Sequence, residues 1–202
     1  MMKLLYSPAS PYARKVTMTA LIKGLDGGIE KLVADTMDPA KHGLGEANPL
    51  HKIPTLILED GTGIFDSHVI CEYLDSRVAS PVLFPGEGPE RWRMLTRAAL
   101  ADGILDAALL IVYEGRYRTE GQRVQAWVDR QQGKIAAALD HFEAHPPAFS
   151  GHPDYSHITL AAALGYVEFR IGAGWREGRP KLVAWLDDFA ARVPAYGATI
   201  PR

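Results

Sequence analysis

The first eighty residues alternate short apolar runs with turn clusters, a pattern typical of a small sheet packed with helices. Four short strands are predicted, at 3–6, 30–33, 54–58 and 64–65. Two helices are predicted among them, at 11–23 and 67–77, the first opening on Pro11. The order is therefore βαβ-ββα, and its βαβ part predicts parallel strands with a right-handed crossover.

The second half of the chain has a different pattern. Residues 78–89 hold three prolines and two glycines, which predicts a linker. From Glu90 onward the apolar positions follow helical spacing, and no strand pattern returns. The sequence thus predicts an α/β domain at 1–78 followed by an all-α domain at 87–202.

Composition narrows the range of functions. The chain has 202 residues, with 22 Lys plus Arg against 24 Asp plus Glu, so there is no broad basic surface for nucleic acid or an anionic membrane. A small-molecule partner fits better. The single cysteine, Cys71, excludes disulfides and cysteine zinc clusters and agrees with a reducing compartment. Without an apolar segment long enough for a membrane span or a signal peptide, the predicted location is cytoplasmic.

Ser10 is the first candidate for chemistry, because it precedes a predicted helix. Free N–H groups and the helix dipole at such a position favour negative charge, so Ser10 is a candidate to stabilise a thiolate. The alternative is that Ser10 only caps the helix.

Two further motifs lie next to predicted strands. In Lys52-Ile53-Pro54, a cis proline would turn the backbone of Ile53 outward to pair with an extended ligand; the alternative is an ordinary turn before a strand. Asp66-Ser67 lies at a strand-to-helix junction, where the two side chains match the ammonium and carboxylate of an α-amino acid; the alternative is a helix cap.

These three motifs, in this order and followed by a helical domain, resemble the cytosolic glutathione transferase family over essentially the whole chain. Ser10-Pro11-Tyr12-Ala13 is similar to the Cys-Pro-Tyr-Ala motif of omega-type members, with serine in place of cysteine. Ala9-Ser10 also falls where beta-type bacterial members carry Ala-Cys.

The resemblance implies a thioredoxin-like N-terminal domain that binds glutathione and a C-terminal helical bundle that supplies most of the acceptor pocket. It implies that Ser10 occupies the catalytic position and that Ile53, before a cis Pro54, pairs through its backbone with the cysteinyl part of glutathione. Lys52 is expected near the ligand, and Asp66 with Ser67 is expected to hold the γ-glutamyl end. The resemblance also implies a homodimer.

The residues of the C-terminal helical domain support weaker predictions. By their place in the resemblance, five residues are expected to line a cleft, although each fits ordinary surface or core equally well: Tyr12, Tyr113, Arg116, Tyr117 and Trp175. Asp154 is expected to cap a buried helix, with His157 at the third helical position, where the family usually has aspartate. His141 and His145 lack a third ligand, so no metal is predicted.

Serine at position 10 argues for one chemistry over another. A mixed disulfide cannot form there, whereas a serine hydroxyl donates a hydrogen bond to the glutathione thiolate and lowers the pKa of the thiol. Cys71 is expected to be a buried hydrophobic residue. Tyr6 is the rival for Ser10, because other classes of the family place a catalytic tyrosine near the end of the first strand, and Ser7 is a weaker one.

The function expected from these residues is a detoxifying glutathione transferase that joins the thiolate to small, largely apolar electrophiles. Glutathione is then a co-substrate. Two alternatives stay open: a non-catalytic glutathione-binding or protein-interaction module, and a glutathione-dependent isomerase, dehalogenase or peroxidase. The natural electrophile is left open.

Overall fold

The computed structural model describes residues 1–202 and groups them into two compact units. Met1–Gly86 together with Val193–Arg202 form the first unit, and Glu87–Arg192 form the second. The sequence placed the domains at 1–78 and 87–202. The structure differs at two points, because the linker up to Gly86 and the last ten residues group with the first unit.

A four-stranded mixed sheet is the centre of the first unit. Its strands are β1 (Met2–Tyr6), β2 (Ile29–Val33), β3 (Thr55–Ile57) and β4 (Gly63–Phe65), in the spatial order β2-β1-β3-β4. β1 runs parallel to β2 and antiparallel to β3, which in turn runs antiparallel to β4. The βαβ-ββα order and the parallel βαβ pair are confirmed.

Two helices, α1 (Pro11–Ile22) and α3 (Ser67–Ser76), pack against each other in this unit. Cys71 on α3 is fully buried, and its Sγ lies 3.4 Å from the hydroxyl oxygen of Thr19 on α1. The expectation that Cys71 is a small buried residue is confirmed. Lys23, just after α1, forms a buried ion pair with Asp75 on α3 at 2.8 Å.

A short helix, α2 (Leu44–Ala47), was not predicted, because four residues are too few to show a helical period. Its end lies against the start of β4. A Cβ added to Gly63 would lie 2.2 Å from the carbonyl oxygen of Ala47, so only glycine fits this position.

The end of the chain explains why it groups with the first unit. The last helix, α8 (Pro194–Ala198), packs on α1 through Arg14, which is only 4% exposed. The Arg14 guanidinium donates to the carbonyl of Tyr196 at 3.0 Å and lies 4.3 Å from the centre of the Tyr196 ring. Burial lowers the pKa of Arg14, and Tyr196 partly offsets this effect.

Four longer helices make the second unit: α4 (Pro89–Tyr117), α5 (Gln125–Ala144), α6 (Tyr155–Arg170) and α7 (Pro180–Arg192). α4 packs on both α5 and α6, and most residues of α6 are buried. The all-helical character of this half is confirmed. None of the helices combines the length and the apolar composition that crossing a membrane requires.

Asp154 caps α6, as the sequence predicted. Its carboxylate accepts from the backbone N–H groups of Ser156 and His157, and His157 closes a capping box in return, its Nδ1 lying 3.0 Å from the Asp154 nitrogen. Arg97 on α4 also pairs with this carboxylate at 2.9 Å. Burial opposes ionisation, but contacts with His157, Ser156 and Arg97 outweigh it and lower the pKa of Asp154 to about 2.

We expect Asp154→Asn to lower the free energy of unfolding by about 2 kcal/mol at pH 6, the linkage value for a carboxyl whose pKa falls from 3.8 to about 2. The carboxylate contributes this stability in full above the pKa of 3.8 that it has in the unfolded chain. The contribution is lost as the pH falls towards its pKa of about 2 in the folded chain. Urea titrations from pH 6 to pH 2 measure it: the wild-type advantage should fade between pH 4 and pH 2. Asp188→Asn, in an exposed ion pair, is the control. An advantage independent of pH would contradict the assignment.

We expect Gly63→Ala to lower the free energy of unfolding by about 2–4 kcal/mol, because its Cβ collides with backbone rather than with a movable side chain. Gly27→Ala is the matched control, since a Cβ there meets nothing within 4 Å, and its effect should stay within about 0.5 kcal/mol. Chemical denaturation of both variants measures the difference, and equal effects would refute the close approach.

Candidate active site

The sheet register brings the three sequence motifs to the same end of the neighbouring strands β1, β3 and β4. Leu5 pairs with Thr55 across β1 and β3, and Thr55 pairs with Phe65 across β3 and β4. Because both pairs are antiparallel, the segment after β1, the segment before β3 and the segment after β4 lie side by side. These segments carry the Ser10, Lys52-Ile53-Pro54 and Asp66-Ser67 motifs, respectively.

Ser10 is the N-cap of α1. Its backbone is extended, and its side-chain oxygen accepts from the N–H of Ala13 at 3.2 Å. Pro11, the first helical residue, has no N–H that would need a partner. The Ser10 oxygen acts as acceptor, and its O–H donates to no other group of the chain, so capping leaves the proton free for a ligand.

The Lys52-Ile53-Pro54 segment presents unpaired backbone. The Ile53–Pro54 peptide bond is cis, and neither the N–H nor the C=O of Ile53 forms a hydrogen bond within the chain. Ile53 packs partly against the cluster of Leu5, Ala34 and Leu44. Lys52 is exposed and its ammonium group has no acidic partner, which leaves a positive charge beside the unpaired backbone.

The buried side-chain amide of Asn48 holds this segment in place. Asn48 is 1% exposed, and its Nδ2 donates to the carbonyl of Lys52 at 3.0 Å and to the hydroxyl of Thr55 at 3.1 Å. Its Oδ1 accepts from the N–H of Leu50 at 3.0 Å, and the Thr55 hydroxyl donates to Lys52 O at 2.8 Å. These bonds satisfy the polar groups inside the loop, and the N–H and C=O of Ile53 take no part in them.

Asp66 and Ser67 begin α3. Asp66 has a φ of 71° and caps the helix, its carboxylate accepting from the N–H of His68 at 2.8 Å and of Val69 at 3.4 Å. The carboxylate is exposed, so it keeps lone pairs for a second donor. Ser67 is 5% exposed and its hydroxyl forms no hydrogen bond within the chain.

Tyr6, the rival for Ser10, is the last residue of β1. Its carbonyl accepts from the N–H of Ala34 at 3.0 Å, and its side chain is half-buried. Ser7 accepts from the N–H of Ala9 at 3.3 Å in the turn between them. Tyr6, Ser7 and Ser10 thus lie on one short segment. The chain holds no cluster of three or more potential metal-ligating side chains.

Sequence reasoning overlooked Asn48 and Thr55. The pair is joined by contacts across a turn, and neither residue has a periodic or motif signal of its own.

This sheet, with its two helices and the following all-helical unit, defines a thioredoxin-like domain joined to a helical C-terminal domain. The glutathione S-transferase N-terminal domain family matches residues 9–77, and the corresponding C-terminal domain family matches residues 125–188. The chain is 34% identical over 195 residues to the uncharacterized GST-like protein YibF of Escherichia coli (strain K12), covering 95% of each chain.

Solved structures give the same result. A glutathione transferase family member from Pseudomonas fluorescens Pf-5 with bound glutathione is 39% identical, with a TM-score of 0.93 and full coverage of both chains. A structure of a family member from the same strain with bound S-(propanoic acid)-glutathione is 38% identical, with a TM-score of 0.89 and full coverage. The chain therefore belongs to the glutathione S-transferase family.

We expect Asn48→Ala to lower the free energy of unfolding by about 3 kcal/mol, because it removes three hydrogen bonds and leaves their buried partner groups unsatisfied. Gln125→Ala is the control, since its amide is exposed and bonds only Asp129. Chemical denaturation measures both. An Asn48 variant as stable as the control would mean that the loop does not depend on this amide.

Proposed function

We propose that this protein is a glutathione transferase that joins the glutathione thiolate to small electrophiles. The observation that carries the proposal is the juxtaposition at one sheet edge of a free serine hydroxyl, an unpaired backbone segment and an acidic helix cap. A relative that is 39% identical over its whole length holds glutathione, which supports the same ligand here.

Glutathione is an extended tripeptide, so it matches a site with strand-like backbone. In the proposed complex the N–H and C=O of Ile53 pair with the cysteinyl residue, as an added strand would. The Asp66 carboxylate accepts from the α-ammonium of the γ-glutamyl residue, and Ser67 donates to its α-carboxylate at the start of α3. Lys52 adds a positive charge near a ligand whose net charge is negative.

Ser10 activates the thiol in this proposal. Its O–H donates to the sulfur, and the start of α1 adds the positive end of a twelve-residue helix. Both interactions stabilise the thiolate over the thiol, and each pKa unit corresponds to about 1.4 kcal/mol of such preference. A hydrogen bond to a charged group supplies about that amount or more.

The chemical step is a displacement at an electrophilic carbon. The thiol proton leaves to solvent, the thiolate sulfur forms a bond to the carbon, and the bond to the leaving group breaks with its electron pair. With an aryl chloride the products are a thioether and chloride. A relative that holds S-(propanoic acid)-glutathione accepts a glutathione thioether in its site, which agrees with the product of the proposed reaction.

The proposed enzyme acts in the cytoplasm as a homodimer, and detoxification is its proposed role. Its proposed acceptors are small, largely apolar electrophiles. Isomerase, dehalogenase and peroxidase reactions use the same activated thiol and are therefore distinguished by substrate rather than by Ser10.

We expect Ser10→Ala to lower kcat/KM for 1-chloro-2,4-dinitrobenzene about tenfold or more and to raise the pKa of the bound thiol by about one unit. The pH profile of kcat/KM and the ultraviolet absorbance of the bound thiolate measure these changes. Glutathione affinity should change less, because the other contacts remain.

Tyr6→Phe and Ser7→Ala are the matched controls on the same segment. Loss of activity in Tyr6→Phe, with Ser10→Ala unchanged, would assign thiol activation to Tyr6. A wild-type protein that binds glutathione but conjugates no acceptor would support the non-catalytic module, and a protein that does not bind glutathione would refute the proposal.

A further inference from the structure

Ser10 is joined to the first turn of α1, and Arg14 closes that turn. The backbone N–H of Arg14 donates to the carbonyl of Ser10 at 3.0 Å, and the N–H of Ala13 donates to the Ser10 hydroxyl oxygen at 3.2 Å. Both bonds tie Ser10 to the helix that follows it. The direction of its O–H therefore depends on where the first turn of α1 lies.

The side chain of Arg14 leaves its own helix and contacts the segment Val193–Arg202, which belongs to the same unit. Its Nη2 donates to the carbonyl of Tyr196 at 3.0 Å, and its Nε donates to the hydroxyl of Thr199 at 3.4 Å. The guanidinium carbon lies 4.3 Å from the centre of the Tyr196 ring. A planar guanidinium that meets two acceptors and a ring is fixed in orientation as well as in position.

The acceptors of Arg14 lie on a segment that is itself held in place. Val193 is 4% exposed and Ala195 is 7% exposed, so both are buried in the unit. The hydroxyl of Thr199 donates to the carbonyl of Ala195 at 2.8 Å, and the N–H of Tyr196 donates to the carbonyl of Val193 at 2.9 Å. Arg14 thus connects the first turn of α1 to a packed and hydrogen-bonded support.

An arginine is a costly residue for packing alone. Arg14 is 4% exposed and has no carboxylate partner, and burial of a charge costs free energy that an apolar side chain would not. Its hydrogen bonds, in contrast, are directional, so they hold α1 at one rotation and one level against α8. The contact therefore adds orientation to the first turn of α1, beyond the area that it buries.

We propose that Arg14 is a positioning residue for thiol activation: through the first turn of α1 it aims the Ser10 hydroxyl at the glutathione sulfur. This inference rests on the proposed function, in which Ser10 donates to the thiolate. Arg14 contacts neither glutathione nor the electrophile. Groups that act on a reacting atom must be held within about 0.5 Å, because a hydrogen bond weakens steeply as its geometry departs from the optimum.

Loss of the Arg14 contacts has a defined effect on the thiol. A displaced Ser10 donates a longer or less direct hydrogen bond, so the thiolate loses part of its stabilisation and the pKa of the thiol rises. Glutathione affinity should change little, because Ile53, Asp66 and Ser67 lie on other segments.

Arg14→Met tests the proposal, because it keeps a long apolar stem and removes both side-chain hydrogen bonds. We expect the pKa of the bound thiol to rise by about half a unit to one unit, and kcat/KM for 1-chloro-2,4-dinitrobenzene to fall about three- to tenfold at a pH below that pKa. The difference should shrink at higher pH, where the thiolate is fully formed in both proteins. The ultraviolet absorbance of the bound thiolate against pH measures the pKa.

Lys23→Met is the control for stability. It breaks the buried ion pair with Asp75 at the other end of α1. We expect it to lower the melting temperature and to leave the thiol pKa unchanged.

A double-mutant cycle shows whether Arg14 acts through Ser10. In a Ser10→Ala background, Arg14→Met should no longer raise the thiol pKa, because no hydroxyl is left to aim. Thr199→Val disturbs the same contact from the other side and should raise the thiol pKa by a smaller amount. Thr159→Val is its matched control, since the Thr159 hydroxyl also donates to a carbonyl four residues earlier but lies in α6.

The outcomes separate positioning from stability. An Arg14→Met protein that melts at a lower temperature and keeps the wild-type thiol pKa overturns the proposal, and so does an equal rise with and without the Ser10 hydroxyl. If Arg14→Met does not fold, Thr199→Val decides: an unchanged thiol pKa overturns the proposal, and a rise that Thr159→Val does not share supports it.

The thiol pKa is measured on the glutathione complex without an acceptor, which distinguishes this proposal from the proposed function. Failure to conjugate any acceptor counts against the transferase alone, whereas a thiol pKa that does not respond to Arg14 counts against positioning alone. A wild-type protein that does not bind glutathione overturns both.

Discussion

The buried amide of Asn48 is the contact on which the candidate site depends. It satisfies the carbonyl of Lys52 and the hydroxyl of Thr55 from inside the loop, at a position where water has no access. A buried polar group without a partner is costly, so the loop adopts the one path that keeps these bonds. That path leaves the backbone N–H and C=O of Ile53 unpaired, as the proposed pairing with an extended ligand requires.

Helix capping and the proposed thiol activation use the same serine without conflict. A hydroxyl accepts and donates through different parts of the group, so the Ser10 oxygen holds the first turn of α1 while its proton stays available. A cysteine at this position would supply its own sulfur. Serine does not, and the only cysteine of the chain is buried between α1 and α3, so any reactive sulfur at this edge comes from the ligand.

The sequence predicted the parts of the fold that rest on local rules. Strand alternation, the proline at the start of α1 and the Asp154 cap are each visible within a few residues. Three features were not visible: α2, which is too short for a period, the Asn48–Thr55 pair, which is joined across an irregular loop, and the grouping of the last ten residues with the first unit, which depends on residues far apart in the chain. Arg14 illustrates the third case, since its partners lie near the other end of the sequence.

The cations of this chain are accommodated in different ways. Lys23 is buried and paired with Asp75, as the cost of an isolated buried charge requires. Arg14 is buried without a carboxylate, but a carbonyl, a hydroxyl and an aromatic ring surround its guanidinium, so its role is to hold α8 on α1. Arg116 and Arg170 differ from both, because they are exposed and each lies in the last turn of its helix, where the dipole favours positive charge.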